Sequence, residues 1–245
     1  MALAEHKTAR EVRFRARGPH YLDVLSALHR LLEPEWYLEI GAGRGNSLLR
    51  APGKAISVDP AFRLRADVMA DRPELHLFRQ TSDAFFASGV ARRLAPAIDL
   101  AFIDGMHLFE NVLRDFIQTE KLCRETSVIL LHDLVPFSSA AAARIWDEDA
   151  TGGWSGDVWK MIPILRRYRP DLEFTVMDPR PSGLGVISGL NPKSTVLEDA
   201  YDEIVAAYRD LTYDDFGGGA LAKLAAMVSA VDTLDIRMSA EGEPL

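Results

Sequence analysis

The run Trp36-Tyr37-Leu38-Glu39-Ile40-Gly41-Ala42-Gly43-Arg44-Gly45-Asn46-Ser47 constrains this chain more than any other. It reads as a short apolar strand that enters a glycine-rich turn and then a brief helix. Glycines at 41, 43 and 45 let the backbone take positive φ and approach a ligand closely. Such a turn places a nucleotide-like ligand across the carboxyl end of a parallel sheet.

Two carboxylates narrow the choice of ligand. Glu39 lies inside the strand, and Asp59 ends the next strand-like run, Ala55-Ile56-Ser57-Val58-Asp59. An acid at that second position can accept hydrogen bonds from both hydroxyls of a ribose, a device that dinucleotide folds also use. The G-x-G-x-x-G fingerprint, however, needs a glycine at 46, where this chain has Asn46. Pro52 limits the following helix to a turn or two, a poor platform for a pyrophosphate. Glu39 would repel phosphates and attract a cation. S-adenosylmethionine carries an ammonium, a sulfonium and a ribose but no phosphate, so the local chemistry favours it over NAD.

Composition excludes several classes. A chain of 245 residues with 48% hydrophobic content can bury one large α/β core. A net charge of −8 argues against a broad nucleic-acid-binding face. Cys123 is the single cysteine, so no internal disulfide forms and a reducing compartment is natural. No window approaches the ~20 apolar residues of a membrane span. The expectation is a cytoplasmic protein with no nucleic-acid or membrane partner, its oligomeric state left open.

Along the chain, residues 1 to 18 are polar and rich in arginine, suited to a solvated arm or to an arm that packs on a second subunit or caps the active site. Tyr21, Val24, Leu25, Leu28 and Leu32 recur at helical spacing. Phe62 to Met69 reads as a short helix, Leu75 to Arg79 as a strand, and Ser82-Asp83 as a helix start. Ile98 to Ile103 is an apolar run fit for a strand covered on both faces. Phe109, Val112, Leu113, Phe116 and Ile117 mark a packed helix, and Val128 to Leu131 a further strand. An alanine-rich helix is expected over 136–150, and Asp157 as the cap of a helix carrying Val158, Met161, Ile162 and Leu165. Phe174–Met177 and Leu184–Ile187 read as a closing hairpin. Helices over 195–211 and 220–231 follow, joined by a loop at Gly217-Gly218-Gly219, with a frayed end.

At five strand ends the chain resembles the class I S-adenosylmethionine-dependent methyltransferases. The matching pieces are Leu38 to Gly43, Val58-Asp59, Thr81-Ser82-Asp83, Phe102-Ile103-Asp104-Gly105-Met106-His107 and Leu131-His132-Asp133. The last two look most like a bacterial small-molecule subgroup. The resemblance implies a Rossmann-like α/β fold, with a seven-stranded, mostly parallel sheet, helices on both faces and an antiparallel closing hairpin. The resemblance spans roughly residues 20 to 190, and the expected division is an N-terminal arm and helix over 1–33, a methyltransferase core over 34–190 and, with no counterpart in that family core, a C-terminal helical appendage over 191–245 in the same domain. The cofactor set it implies is Glu39, Gly41, Ala42, Gly43, Asp59, Ser82, Asp83 and Asp104, with Ser82 and Asp83 flanking the adenine.

Asp104, His107, His132 and Asp133 are expected to gather beyond the sheet, since ligands in open α/β sheets bind at the carboxyl ends of strands. A hydroxyl acceptor needs help to lose its proton. In one design His107 or His132 takes it, oriented by Asp104 or Asp133. In the other, Asp104 and Asp133, with His132 as a further candidate, hold Mg²⁺ or another divalent cation. Metal-dependent relatives commonly add a carboxylate or amide after the second acid, where this chain has Leu134. Trp154 and Trp159 are candidates for a wall against a bulky acceptor. The expected activity is O-methylation of a small molecule. An NAD-dependent oxidoreductase and a non-catalytic binding protein of the same fold are the rival readings.

Overall fold

A computed structural model describes residues 14–65, 67–69, 72–146 and 153–236. Seven strands, β1 (Trp36–Ile40), β2 (Lys54–Val58), β3 (Leu75–Phe78), β4 (Ile98–Ile103), β5 (Cys123–His132), β6 (Glu173–Met177) and β7 (Leu184–Ser188), form one sheet. Its order is β3-β2-β1-β4-β5-β7-β6. The first five strands run parallel, and β7 is antiparallel to both β5 and β6. The order reverses between β1 and β4, so a crevice opens above those two strands.

The helices are α1 (Tyr21–Leu32), α2 (Ser82–Ser88), α3 (Ala91–Leu94), α4 (Phe109–Glu120), α5 (Met161–Tyr168), α6 (Val196–Asp199), α7 (Tyr201–Tyr208), α8 (Tyr213–Phe216), α9 (Gly218–Ala225) and α10 (Ala230–Leu234). Alternation along the strands sorts them onto two faces. Leu38, Ile40, Ala101, Ile103, Ile129 and Leu131 pack with Phe109, Val112, Phe116, Trp159 and Ile162. Tyr37, Leu100, Phe102 and Leu130 pack with Val24, Leu25 and Leu28 of α1 and with Ala230 of α10. Burial on both sides is what the continuous apolar runs require.

Several expectations need correction. Residues 62–69 form no helix among those described. The described part of 136–150 is a series of turns, while 147–150 lie outside the described residues. The reason is local: the carbonyl of Ala141 accepts from Ser155, and that of Ala143 from the Trp154 indole, so helix bonds are replaced. The helix expected over 195–211 breaks at Ala200 into α6 and α7. Gly218 and Gly219 open α9 rather than form a loop tip, and the segment 220–231 is divided between α9 and α10. Of the basic arm, residues 1–13 lie outside the described residues, as does most of the expected frayed end. Phe14 is buried in the core, and Gly18 donates to the carbonyl of Asp178 at 2.8 Å.

Candidate active site

The glycine turn is shaped by close approach and by two acids. Gly41 has φ 91°, and a Cβ there would overlap the carbonyl oxygen of Asp104, so only glycine fits. A Cβ on Gly43 would meet nothing within 4 Å, which leaves the inner side of the turn open to a ligand. Gly43 donates its N–H to Asp59 Oδ2 at 2.7 Å, and Ala61 donates to Oδ1 at 2.6 Å. Each oxygen of Asp59 keeps lone-pair capacity for a further donor. Glu39 is fully buried and accepts from the Ser47 hydroxyl at 2.5 Å. Burial pushes its carboxyl up to about 7, against the pull of that hydroxyl. Both acids therefore converge on the turn, Asp59 at its near end and Glu39 at its far end. Ala42, between the glycines, is buried.

Ser82 begins α2, whose capping side chain is Thr81. Asp83 pairs with Arg114 at 3.0 and 3.1 Å, and Arg114 also donates to the Tyr201 hydroxyl at 2.6 Å. Asp83 is thus engaged by Arg114 of α4, which itself reaches Tyr201 of α7, a contact that no local pattern announces.

Beyond β4 and β5, the four predicted polar residues do gather. His132 Nδ1 lies 3.0 Å from Asp104 Oδ1 and 3.4 Å from Asp133 Oδ1. His107 Nε2 lies 3.2 Å from Asp133 Oδ2 and 3.7 Å from Asp104 Oδ1. His107 Nδ1 stands 2.8 Å from the carbonyl oxygen of Trp154. A carbonyl only accepts, so Nδ1 carries the hydrogen and Nε2 faces the two carboxylates. That arrangement is stable when Nε2 is protonated or when a cation is shared with the acids. In the cation-free form, burial acting to lower the His107 pKa is outweighed by Asp104 and Asp133, which raise it to about 9. His132 is likewise pushed well above its ordinary value despite burial, by Asp104 and then Asp133. Burial would raise Asp104, but His132 and His107 hold it down at about 2.

One ligand atom each from Asp104, His107 and Asp133 lies within 4.8 Å of the others. Two carboxylates and an imidazole whose far nitrogen donates to a backbone carbonyl make a donor set that fits a divalent cation. His107, not His132, completes this group, and His132 stands behind Asp104. Leu134 is fully buried, so the position after the second acid supplies no ligand.

Supporting residues outside the sequence motifs hold this cluster. Ser182 donates to Asp133, a residue in the left-handed region at φ 62°. Tyr21 of α1 lies against the His132 ring, with centroids 4.4 Å apart. Asp157 caps α4, not its own helix: Phe109 donates its N–H to Asp157 Oδ1 at 2.8 Å, while Arg144 and Lys160 bind Oδ2. Gly156, at φ 57°, lies so close that a Cβ would overlap the carbonyl oxygen of His107. Trp154 sits beside His107, its ring 5.3 Å away. Trp159 is instead fully buried against Tyr213 and Phe216 and lines no wall.

A family model described as a methyltransferase domain matches residues 38–134, from β1 to the segment just beyond β5. The sheet is Rossmann-like, mostly parallel with an antiparallel closing pair of strands. No curated protein matches the chain. Among solved structures, the domain is similar to the O-methyltransferase TomG from Streptomyces achromogenes, involved in tomaymycin synthesis and bound to SAM. Identity is 18%, coverage 70% of this chain and 80% of that one, and TM-score 0.48. An O-methyltransferase from Bacillus cereus in complex with SAH shows 16% identity, coverage of 71% and 82%, and TM-score 0.47. The SAH-bound methyltransferase PaMTH1 of Podospora anserina shows 15%, 69% and 77%, and 0.46.

Proposed function

We propose that this methyltransferase transfers a methyl group from S-adenosylmethionine to a hydroxyl of a small molecule, and that Asp104, His107 and Asp133 hold a divalent cation at the acceptor. The observation that carries the reading is His107, fixed through Nδ1 by a backbone carbonyl with Nε2 aimed at two carboxylates. Mg²⁺ or Mn²⁺ suits such donors and, when bound, lowers the pKa of a coordinated hydroxyl.

The protein's own residues supply position. The Gly41–Gly43 turn gives close backbone approach without a phosphate-binding helix. Asp59, with lone pairs to spare, suits the ribose hydroxyls. The buried acid Glu39 adds negative potential favourable to a sulfonium and an ammonium. His132 donates from Nδ1 to Asp104, and Tyr21 covers its ring, so the carboxylate is oriented before substrate arrives. A cavity of roughly 780 Å³, lined by Phe14, Pro136, Phe137 and Tyr213 among others, opens along the segment that follows Asp133. Its lining mixes these apolar residues with Arg15, Asp214 and Lys223 and includes none of Asp104, His107 and Asp133. Among the described residues no helix is long and apolar enough to cross a membrane. With one cysteine and an acidic composition, we place the enzyme in the cytoplasm.

Calorimetry with S-adenosylmethionine, S-adenosylhomocysteine and NAD tests the donor. Both sulfur compounds should bind and NAD should not; the reverse result would end the proposal. Turnover on a panel of hydroxylated small molecules, before and after dialysis against a chelator, tests the cation. Activity should vanish and return with Mg²⁺ or Mn²⁺, whereas unchanged activity would assign proton removal to His107 or His132 alone.

A further inference from the structure

The cavity of roughly 780 Å³ is enclosed by the start of the described arm, by the segment that follows Asp133 and by helices α8 and α9. No residue assigned above to the donor or to the cation stands among its described lining, so the chemistry above leaves it without a role. Its volume is that of a site for an organic molecule of moderate size.

Its walls are mostly apolar. Phe14 is 6% exposed, and Phe137 and Tyr213 are half-buried. A Cβ on Gly217 or on Gly219 would meet nothing within 4 Å, so the glycine run lends backbone to the wall without bulk. A flat ring or a branched chain placed here removes apolar surface from water on several sides.

The charges of the lining are uneven. Arg15 and Lys223 are exposed, and neither has a hydrogen-bond or ion-pair partner among the described residues. The acid of the same lining, Asp214, accepts from the Ser139 hydroxyl at 2.6 Å. Two cations against one carboxylate leave the described lining with a single positive charge, in a chain whose net charge is −8. Unpaired cations beside an apolar wall attract a molecule with an acid group at one end and an apolar body behind it. One net charge suits a monoanion, such as a carboxylate or a sulfonate. The apolar walls and the acidic remainder of the chain argue against a polyanion such as a nucleic acid.

We propose that this cavity is a second small-molecule site that takes an apolar organic acid, whose body lies against Phe14, Phe137 and Tyr213 and whose acid group meets Arg15 and Lys223. The site stands on its own lining and does not rest on the S-adenosylmethionine reading.

The test uses two fluorescent probes of one aromatic skeleton, anilinonaphthalene sulfonate and its uncharged parent N-phenylnaphthylamine, titrated into the full chain. The wild type should bind both, with the affinity of the sulfonate falling as salt is raised and that of the neutral probe holding. Arg15→Gln combined with Lys223→Gln should weaken the sulfonate by about threefold or more, the scale of two exposed charge contacts, and leave the neutral probe within about twofold. Phe137→Ala should weaken both probes by about threefold or more, which places them in this cavity. Lys193→Gln, which removes an exposed cation outside the lining, should change neither. Saturation with S-adenosylhomocysteine should change neither. No binding to the wild type, sulfonate affinity unmoved in the double variant, both affinities unmoved in Phe137→Ala, or displacement of the probes by S-adenosylhomocysteine would overturn the inference. Failure of S-adenosylhomocysteine itself to bind would end the donor assignment and leave the probe titrations standing.

Discussion

At the scale of single residues, Asp59 has two duties. It accepts one backbone N–H on each oxygen, which fixes the glycine turn, and it is the acid proposed above to meet the donor's ribose. Asp59→Ala is expected to weaken S-adenosylhomocysteine binding by about tenfold or more in a calorimetric titration, through the loss of both the turn's anchor and a ribose acceptor. Unchanged affinity would remove Asp59 from the seat. Leu134 packs so closely that its Cδ1 would stand 2.5 Å from a Cβ on Gly185. Leu134→Asn, which would mimic metal-binding relatives, should cost about 2–4 kcal/mol in a denaturant titration and add no ligand. Asp115 makes a pH prediction. Its carboxyl titrates near 7 in the fold and near 3.8 in the unfolded chain, so the folded state holds its proton longer. Stability of the ligand-free protein is therefore greatest below the lower value and falls as pH rises through the interval. Asp115→Asn should raise Tm by about 2 °C or more at pH 8, with the gain shrinking toward pH 4. The acids at strand ends are legible in the sequence because glycine and aspartate punctuate apolar runs. The partners of Asp83 and Asp115 are not, because they arrive from other elements.

At the scale of elements, α1 is the case where local rules suffice. An apolar stripe at helical spacing, the His20 side chain accepting from Leu22 and a left-handed Glu33 before Pro34 fix both its ends as expected. The segment 136–157 is the opposite case. Alanine content favours helix, but Trp154 and Ser155 take the carbonyls that a helix would use, and Asp157 ties the segment to α4. That tie brings the Trp154 carbonyl to His107. Asp157→Ala should cost about 3–5 kcal/mol in a denaturant titration, since Lys160 would stay buried without its partner. A loss below about 1 kcal/mol would show that the clamp is dispensable.

At the scale of the whole molecule, the parallel strands and the reversal between β1 and β4 bring Glu39, Asp59, Asp104 and Asp133 to one edge of the sheet. That much follows from strand order and the rule that ligands sit at carboxyl ends. Which histidine joins the acids does not follow, because it depends on the Trp154 carbonyl reached across 47 positions of sequence. The central claim is that Asp104, His107 and Asp133 form one cation site beside the donor. Its most direct test is calorimetric titration of Mn²⁺ into the wild type and Asp133→Asn, each saturated with S-adenosylhomocysteine. The account predicts one Mn²⁺ per wild-type chain and binding at least about tenfold weaker in the variant. No binding to the wild type, or equal binding to both proteins, would contradict it.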